Sequence, residues 1–190
     1  VAMVAHEFSH ALVAFANGDQ TARQQGRLTL NPLAHIDPFG TIILPALLIF
    51  LRAPVLFGWA KPVPINFSQL HHPKRDMIFV GLAGPLANFF LALTAALFIK
   101  MGAGSSPAAL AIALQFLLVN TTLGVFNLFP LPPLDGSRVL MGLLPMTAAR
   151  ALARLEPYGF IILFALLYIG LLDGFLWPLS KAIAAGLLSL

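Results

Sequence analysis

Val1-Ala2-Met3-Val4-Ala5-His6-Glu7-Phe8-Ser9-His10-Ala11-Leu12-Val13-Ala14-Phe15-Ala16 decides how this chain is read, because it sets two imidazoles and a carboxylate in H-E-x-x-H spacing within an otherwise apolar run. On a helix, residues four apart share a face, so both rings can reach one metal ion. Glu7 then falls beside the metal's open position. There it could take a proton from the attacking water, whose pKa a zinc ion lowers from about 15.7 to about 7.

The surrounding composition is that of an integral membrane protein: 59% hydrophobic residues, 9% charged and a mean hydropathy of +0.89. The net charge of +4 is scattered, with no cluster of basic and aromatic residues, which argues against nucleic acid as a partner. Cysteine is absent, so a metal would be held by histidine and carboxylate. The chain opens on Val1 and reaches His6 almost at once, leaving its first helix short of the roughly 20 apolar residues that a span needs. We expect an upstream part of that helix to be missing, and read residues 1–190 as one transmembrane domain.

Asn17-Gly18-Asp19 is expected to end the first helix. Arg27 to Asn31 alternates polar and apolar residues before Pro32, which predicts a short strand. Phe39 to Leu51 is apolar but short, with Pro45 in its middle, and suits a re-entrant segment better than a crossing. Gly58 to Asn66 is too rich in proline for a helix and reads as an extended loop or edge strand. Met77 to Ile99, Ala108 to Phe129 and Pro157 to about Pro178 are each long enough to span, with a tight turn at Gly102 to Pro107 and a short surface helix within Pro130 to Glu156. The fold class is therefore an all-α polytopic bundle with a short re-entrant or β-like segment near the site.

Two histidines leave a catalytic zinc one protein ligand short, and Asp135 is the best third candidate. It follows the second long span in Asn127-Leu128-Phe129-Pro130-Leu131-Pro132-Pro133-Leu134-Asp135-Gly136, where proline breaks the helix and Gly136 allows a sharp turn inward. A bilayer disfavours an unpaired carboxylate, so a metal partner is reasonable. The alternative for Asp135 is a helix cap. Asp173, in a second Leu-Asp-Gly tripeptide, lacks the upstream Asn and Pro and reads as an interfacial cap. His35 shapes its loop or partners a ligand. Gly81 and Gly84 have the spacing of close helix packing, while Pro85 and Asn88 could open the backbone near the site.

Counting basic residues sets the topology. If Phe39 to Leu51 crosses, Arg52, Lys61, Lys74, Arg75, Arg138, Arg150 and Arg154 face Arg23, Arg27, Lys100 and Lys181, seven against four. If it is re-entrant, Arg23 and Arg27 join the larger group, nine against two, the stronger positive-inside bias. Either way the Asp135 loop faces the cytoplasm.

Taken together, His6-Glu7-Phe8-Ser9-His10, Gly84-Pro85-Leu86-Ala87-Asn88 and the Asn127, Pro130, Asp135-Gly136 pattern resemble the site-2 protease family of intramembrane zinc metalloproteases, peptidase M50. Leu30-Asn31-Pro32-Leu33-Ala34-His35-Ile36-Asp37-Pro38 and Gly58-Trp59-Ala60-Lys61-Pro62-Val63-Pro64 are similar to its compact bacterial and archaeal branch, and no segment resembles PDZ or CBS domains. The resemblance implies Zn2+ held by His6, His10 and Asp135, Glu7 as general base and later proton donor, and Asn127, with Asn88 as a further candidate, on the substrate. It also implies a bacterial or archaeal cell membrane and, as partner, a transmembrane segment of a substrate protein that must unwind, pairing with Arg27 to Asn31 or with Pro62 to Ile65. The competing class is a divalent metal-ion transporter or channel, which would use the same ligands transiently.

Overall fold

The computed structural model describes residues 1–52, 58–103 and 106–190. Among them every regular element is helical: α1 (Ala2–Ala16), α2 (Thr21–Gln24), α3 (Leu44–Phe50), α4 (Pro73–Phe98), α5 (Pro107–Asn127), α6 (Asp135–Leu143), α7 (Met146–Ala153), α8 (Gly159–Tyr168) and α9 (Asp173–Ser189). α1 is rich in alanine, the best helix former. Its buried stripe includes Ala2, His6, His10 and Ala14, repeating every fourth residue, so the histidines share the face that meets α4.

α4 is the central element and packs against α1, α5, α6 and α9. Close approach is possible because Gly81, Ala83, Gly84, Ala92, Ala95 and Ala96 carry little or no side chain. Ala92, Ala95 and Ala96 form one core cluster with Leu117 of α5 and Ala184 of α9. A second joins Val125 and Leu134 to Leu163, Leu172 and Leu176. α5 starts sharply, since the Ser106 side chain accepts from the Ala109 amide and Pro107 stands at the first helical position.

Segments long and apolar enough to cross a membrane are Pro73–Lys100, Pro107–Asn127 and Met146–Tyr168. The first two match expectation; the third does not. The stretch expected to span from Pro157 to Pro178 is cut by a turn at Gly170 (φ +71°), where the Gly170 amide returns to Leu167 O and the Leu171 amide to Leu166 O. That 6→1 and 5→2 pair needs a left-handed residue, which glycine adopts without a Cβ clash. Gly18 (φ +108°) ends α1 by the same device, as Asn17-Gly18-Asp19 predicts.

The strand expected over Arg27 to Asn31 does not form. Its polar groups bond locally instead: the Asn31 amide donates to Thr29 Oγ1, and Asn31 Oδ1 accepts from the Leu33 amide. Such side-chain bonds compete with a ladder. Gly58 to Asn66 is extended but unpaired into a sheet. Pro38–Phe50 folds as a short π-helical turn running into α3, with Ile42, Ile43, Leu47, Ile49 and Phe50 exposed. The turn expected at Gly102 to Pro107 lies partly outside the described residues, as do residues 53–57 and the side chain of Asp173.

Candidate metal centre and comparisons

Three ligand atoms converge between α1 and the start of α6. His6 Nε2 stands 3.0 Å from His10 Nε2, and Asp135 Oδ2 lies 3.1 Å and 3.2 Å from the two nitrogens. A tetrahedral ion bound at about 2.0–2.1 Å needs ligand atoms about 3.3 Å apart, so this near-equilateral triangle fits one face of its coordination shell. The imidazoles meet edge to face, with centroids 4.6 Å apart.

The far side of each ring fixes which nitrogen is free. Asn120 Nδ2 donates to Phe116 O, so Asn120 Oδ1 accepts from Asn88 Nδ2 at 3.0 Å, and Asn88 Oδ1 is left to accept from His6 Nδ1 at 2.7 Å. His10 Nδ1 donates to Val80 O at 2.7 Å. With both Nδ1 atoms carrying the proton, each neutral ring aims an Nε2 lone pair at the centre. Asp135 Oδ2 is buried there without a hydrogen-bond partner. Two imidazole lone pairs and an orphaned carboxylate oxygen facing one another repel unless a cation sits among them, and the donor set suits zinc.

Glycines on α4 make the room. A Cβ on Gly84 would stand 2.6 Å from His6 Nε2 and closer still to His10 Nε2. One on Gly81 would meet Asp135 O at 3.1 Å. The packing predicted for these glycines is thus packing against the residues of the candidate metal centre. Gly136 is needed for a different reason than expected. It lies inside α6 without a positive φ, and a Cβ there would strike the Leu128 carbonyl, so it lets the helix start press against the end of α5. The Asp135 side chain does not cap α6, whose N-cap is Leu134.

Glu7 shares with the triangle an open cavity of about 280 Å³ whose lining includes His6, Glu7, His10, Val63, Asn127 and Asp135. Its Oε2 accepts from the Val63 amide at 2.8 Å. Asn127 lines the same cavity, with Nδ2 donating to Leu123 O. Asn88, expected on the substrate, is fully buried away from the cavity, with its amide shared among His6, Ala2 O and Asn120. It holds the His6 ring rather than touching solvent. Asn120 was not singled out from the sequence, although an asparagine inside an apolar span is itself a signal. Arg138, also in the lining, pairs with Glu156 and stacks over Phe67, 5.2 Å from the ring centroid. His35 reaches Thr29 O at 2.8 Å, so it shapes its loop.

Helices long enough to cross a bilayer, a His-His-Asp triangle and an adjacent carboxylate define a membrane metalloprotease class. Residues 102–170 match the family described as "Peptidase family M50". The "Putative zinc metalloprotease YwhC" of Bacillus subtilis (strain 168) is 39% identical over 190 residues, covering 96% of this chain and 83% of its own length. The "Putative zinc metalloprotease Rip2" of Mycolicibacterium smegmatis is 35% identical over 164 residues, covering 85% of this chain and 61% of its own length. The protein of that name in Mycobacterium tuberculosis (strain H37Rv) is 33% identical over 175 residues, covering 92% and 66%. No solved structure matches the chain. The chain belongs to peptidase family M50, the intramembrane zinc metalloproteases.

Proposed function

We propose that this chain hydrolyses peptide bonds in or near the transmembrane segments of other proteins, with His6, His10 and Asp135 as zinc ligands and Glu7 as general base. The observation that carries the reading is the triangle of His6 Nε2, His10 Nε2 and the orphaned Asp135 Oδ2, opening onto a polar cavity that Glu7 also lines. When bound, zinc supplies Lewis acidity toward the scissile carbonyl and lowers the pKa of water. Glu7, held at Oε2 by Val63, keeps Oε1 free to take the proton of the attacking water and return it to the leaving amine. Asn127 is one helical end away and offers the second proton of its Nδ2 to a developing oxyanion.

The substrate reaches the cavity as an unwound strand alongside Pro62 to Ile65, whose extended backbone forms part of the wall. Pro38–Phe50 is too short to span and exposes its apolar side chains, which suits a re-entrant element dipping into lipid. With it re-entrant, the basic residues divide nine to two and the site faces the cytoplasm. A transporter would place ligands at successive depths, whereas among the described residues one His/Asp cluster is found.

The test is bound zinc and cleavage of a dye- and quencher-labelled single-span peptide in detergent. Glu7→Gln is expected to keep zinc and lose cleavage, and Asp135→Ala to lose both. Cleavage that survives Glu7→Gln would remove the general-base role; zinc binding unaffected by Asp135→Ala would remove the third ligand.

A further inference from the structure

Arg27 is a buried cation some way along the chain from the metal ligands, and its hydrogen bonds lead to Glu7. Its guanidinium donates to Ala34 O, to Lys61 O at 2.8 Å and to Pro62 O at 3.2 Å. Pro62 C=O and Val63 N–H belong to one peptide group. The carbonyl end takes the Arg27 proton, and the amide end gives its own proton to Glu7 Oε2 at 2.8 Å. Between Lys61 and Ile65, Val63 alone has an amide hydrogen, because Pro62 and Pro64 flank it.

We infer that Arg27 is a positioning residue for Glu7, acting through the Pro62–Val63 peptide; the catalytic meaning of this rests on the general-base reading above. Two physical effects support it. Extended residues 61–65 belong to no sheet, so their orientation depends on side-chain anchors, and Arg27 grips two successive carbonyls just before the amide that matters. A cation on the carbonyl oxygen also polarises the peptide and strengthens its N–H as a donor to a carboxylate. The local chain is built for this reach. The turn after α2 bonds the Arg27 amide to Ala22 O at 2.8 Å, fixing the residue's backbone beside Ala22, which packs in one cluster with Ala11 and Val63.

The experiment follows the Val63 amide directly, by hydrogen exchange in valine-labelled full-length chain, alongside zinc content and the kcat and KM of peptide cleavage. Arg27→Ala is expected to speed Val63 exchange about 10-fold or more, the order a hydrogen bond to a charged group is worth. Glu7→Ala should do the same, while Glu7→Gln, which keeps an acceptor, should leave the amide protected. Zinc stays bound in Arg27→Ala, kcat falls roughly 10- to 100-fold with KM little changed, and Arg27→Lys recovers part of both losses. Wild-type exchange and kcat in Arg27→Ala would overturn the inference, as would loss of zinc and fold in both Arg27 variants, which would make the residue a scaffold only. If Glu7→Gln still cleaves, the base assignment fails, yet Val63 exchange still decides whether Arg27 holds the peptide.

Discussion

Gly84 makes room for the proposed metal centre by having nothing to place between two imidazoles. The rings lie across α4 where a methyl group would touch both Nε2 atoms, so the helix surface itself acts as the floor of the site. Gly84→Ala is expected to lower zinc affinity by more than the roughly 10- to 100-fold that losing a ligand's hydrogen-bond partner costs. Asn88→Ala should fall within that range, because it frees His6 to rotate and change tautomer. Competition against a chromophoric chelator measures both; equal affinity for Gly84→Ala and wild type would show that the rings sit elsewhere when metal is bound. The pairing of His6 with His10 was readable from the sequence because a four-residue spacing puts both on one face of α1, with Glu7 on the adjoining turn. The place of Asp135 beside them was readable from the prolines that end α5, although Gly136 serves close packing rather than the turn read into it. The roles of Asn88 and Asn120 were not, since which buried amide meets which ring depends on how α1, α4 and α5 rotate against one another.

At the scale of elements, turns decided where sequence reading succeeded and failed. Continuous hydropathy from Pro157 to Pro178 conceals a helix stop, because apolar residues on both sides of Gly170 look the same to a membrane. Conversely, the alternating pattern at Arg27 to Asn31 promised a strand, but a strand needs a partner, and Arg27 uses its side chain to hold the neighbouring segment instead. Gly170→Ala puts a Cβ on a left-handed residue and should cost about 1–2 kcal/mol. Gly186→Ala, within α9 and with open space around its Cα, should gain up to about 1 kcal/mol. Denaturation in mixed micelles orders the two; a Gly170→Ala protein as stable as the Gly186→Ala one would mean that the turn after α8 is dispensable.

For the whole molecule, the nine-to-two division of basic residues makes orientation directly testable. The chain has no cysteine, so single cysteines report side without background. Cysteines at Lys61 and Lys74 are expected to react with an impermeant maleimide only after cells are opened, and one at Lys100 in intact cells. The reverse pattern would turn the site to the outer face. Most of the bundle was legible because two long apolar runs and one motif fix α1, α4 and α5. The arrangement of α6 to α9 was less so, since their apolar lengths allow more than one way of crossing.

The triangle of ligands also has a meaning in time. His6 and His10 leave the ribosome before Asp135, and the glycine floor and the asparagine behind His6 arrive between them. A chain made only as far as α5 therefore holds the two histidines of the triangle without its carboxylate. On the proposed ligand set, the cell is spared a cutting enzyme loose among newly inserted helices until the start of α6 has been made.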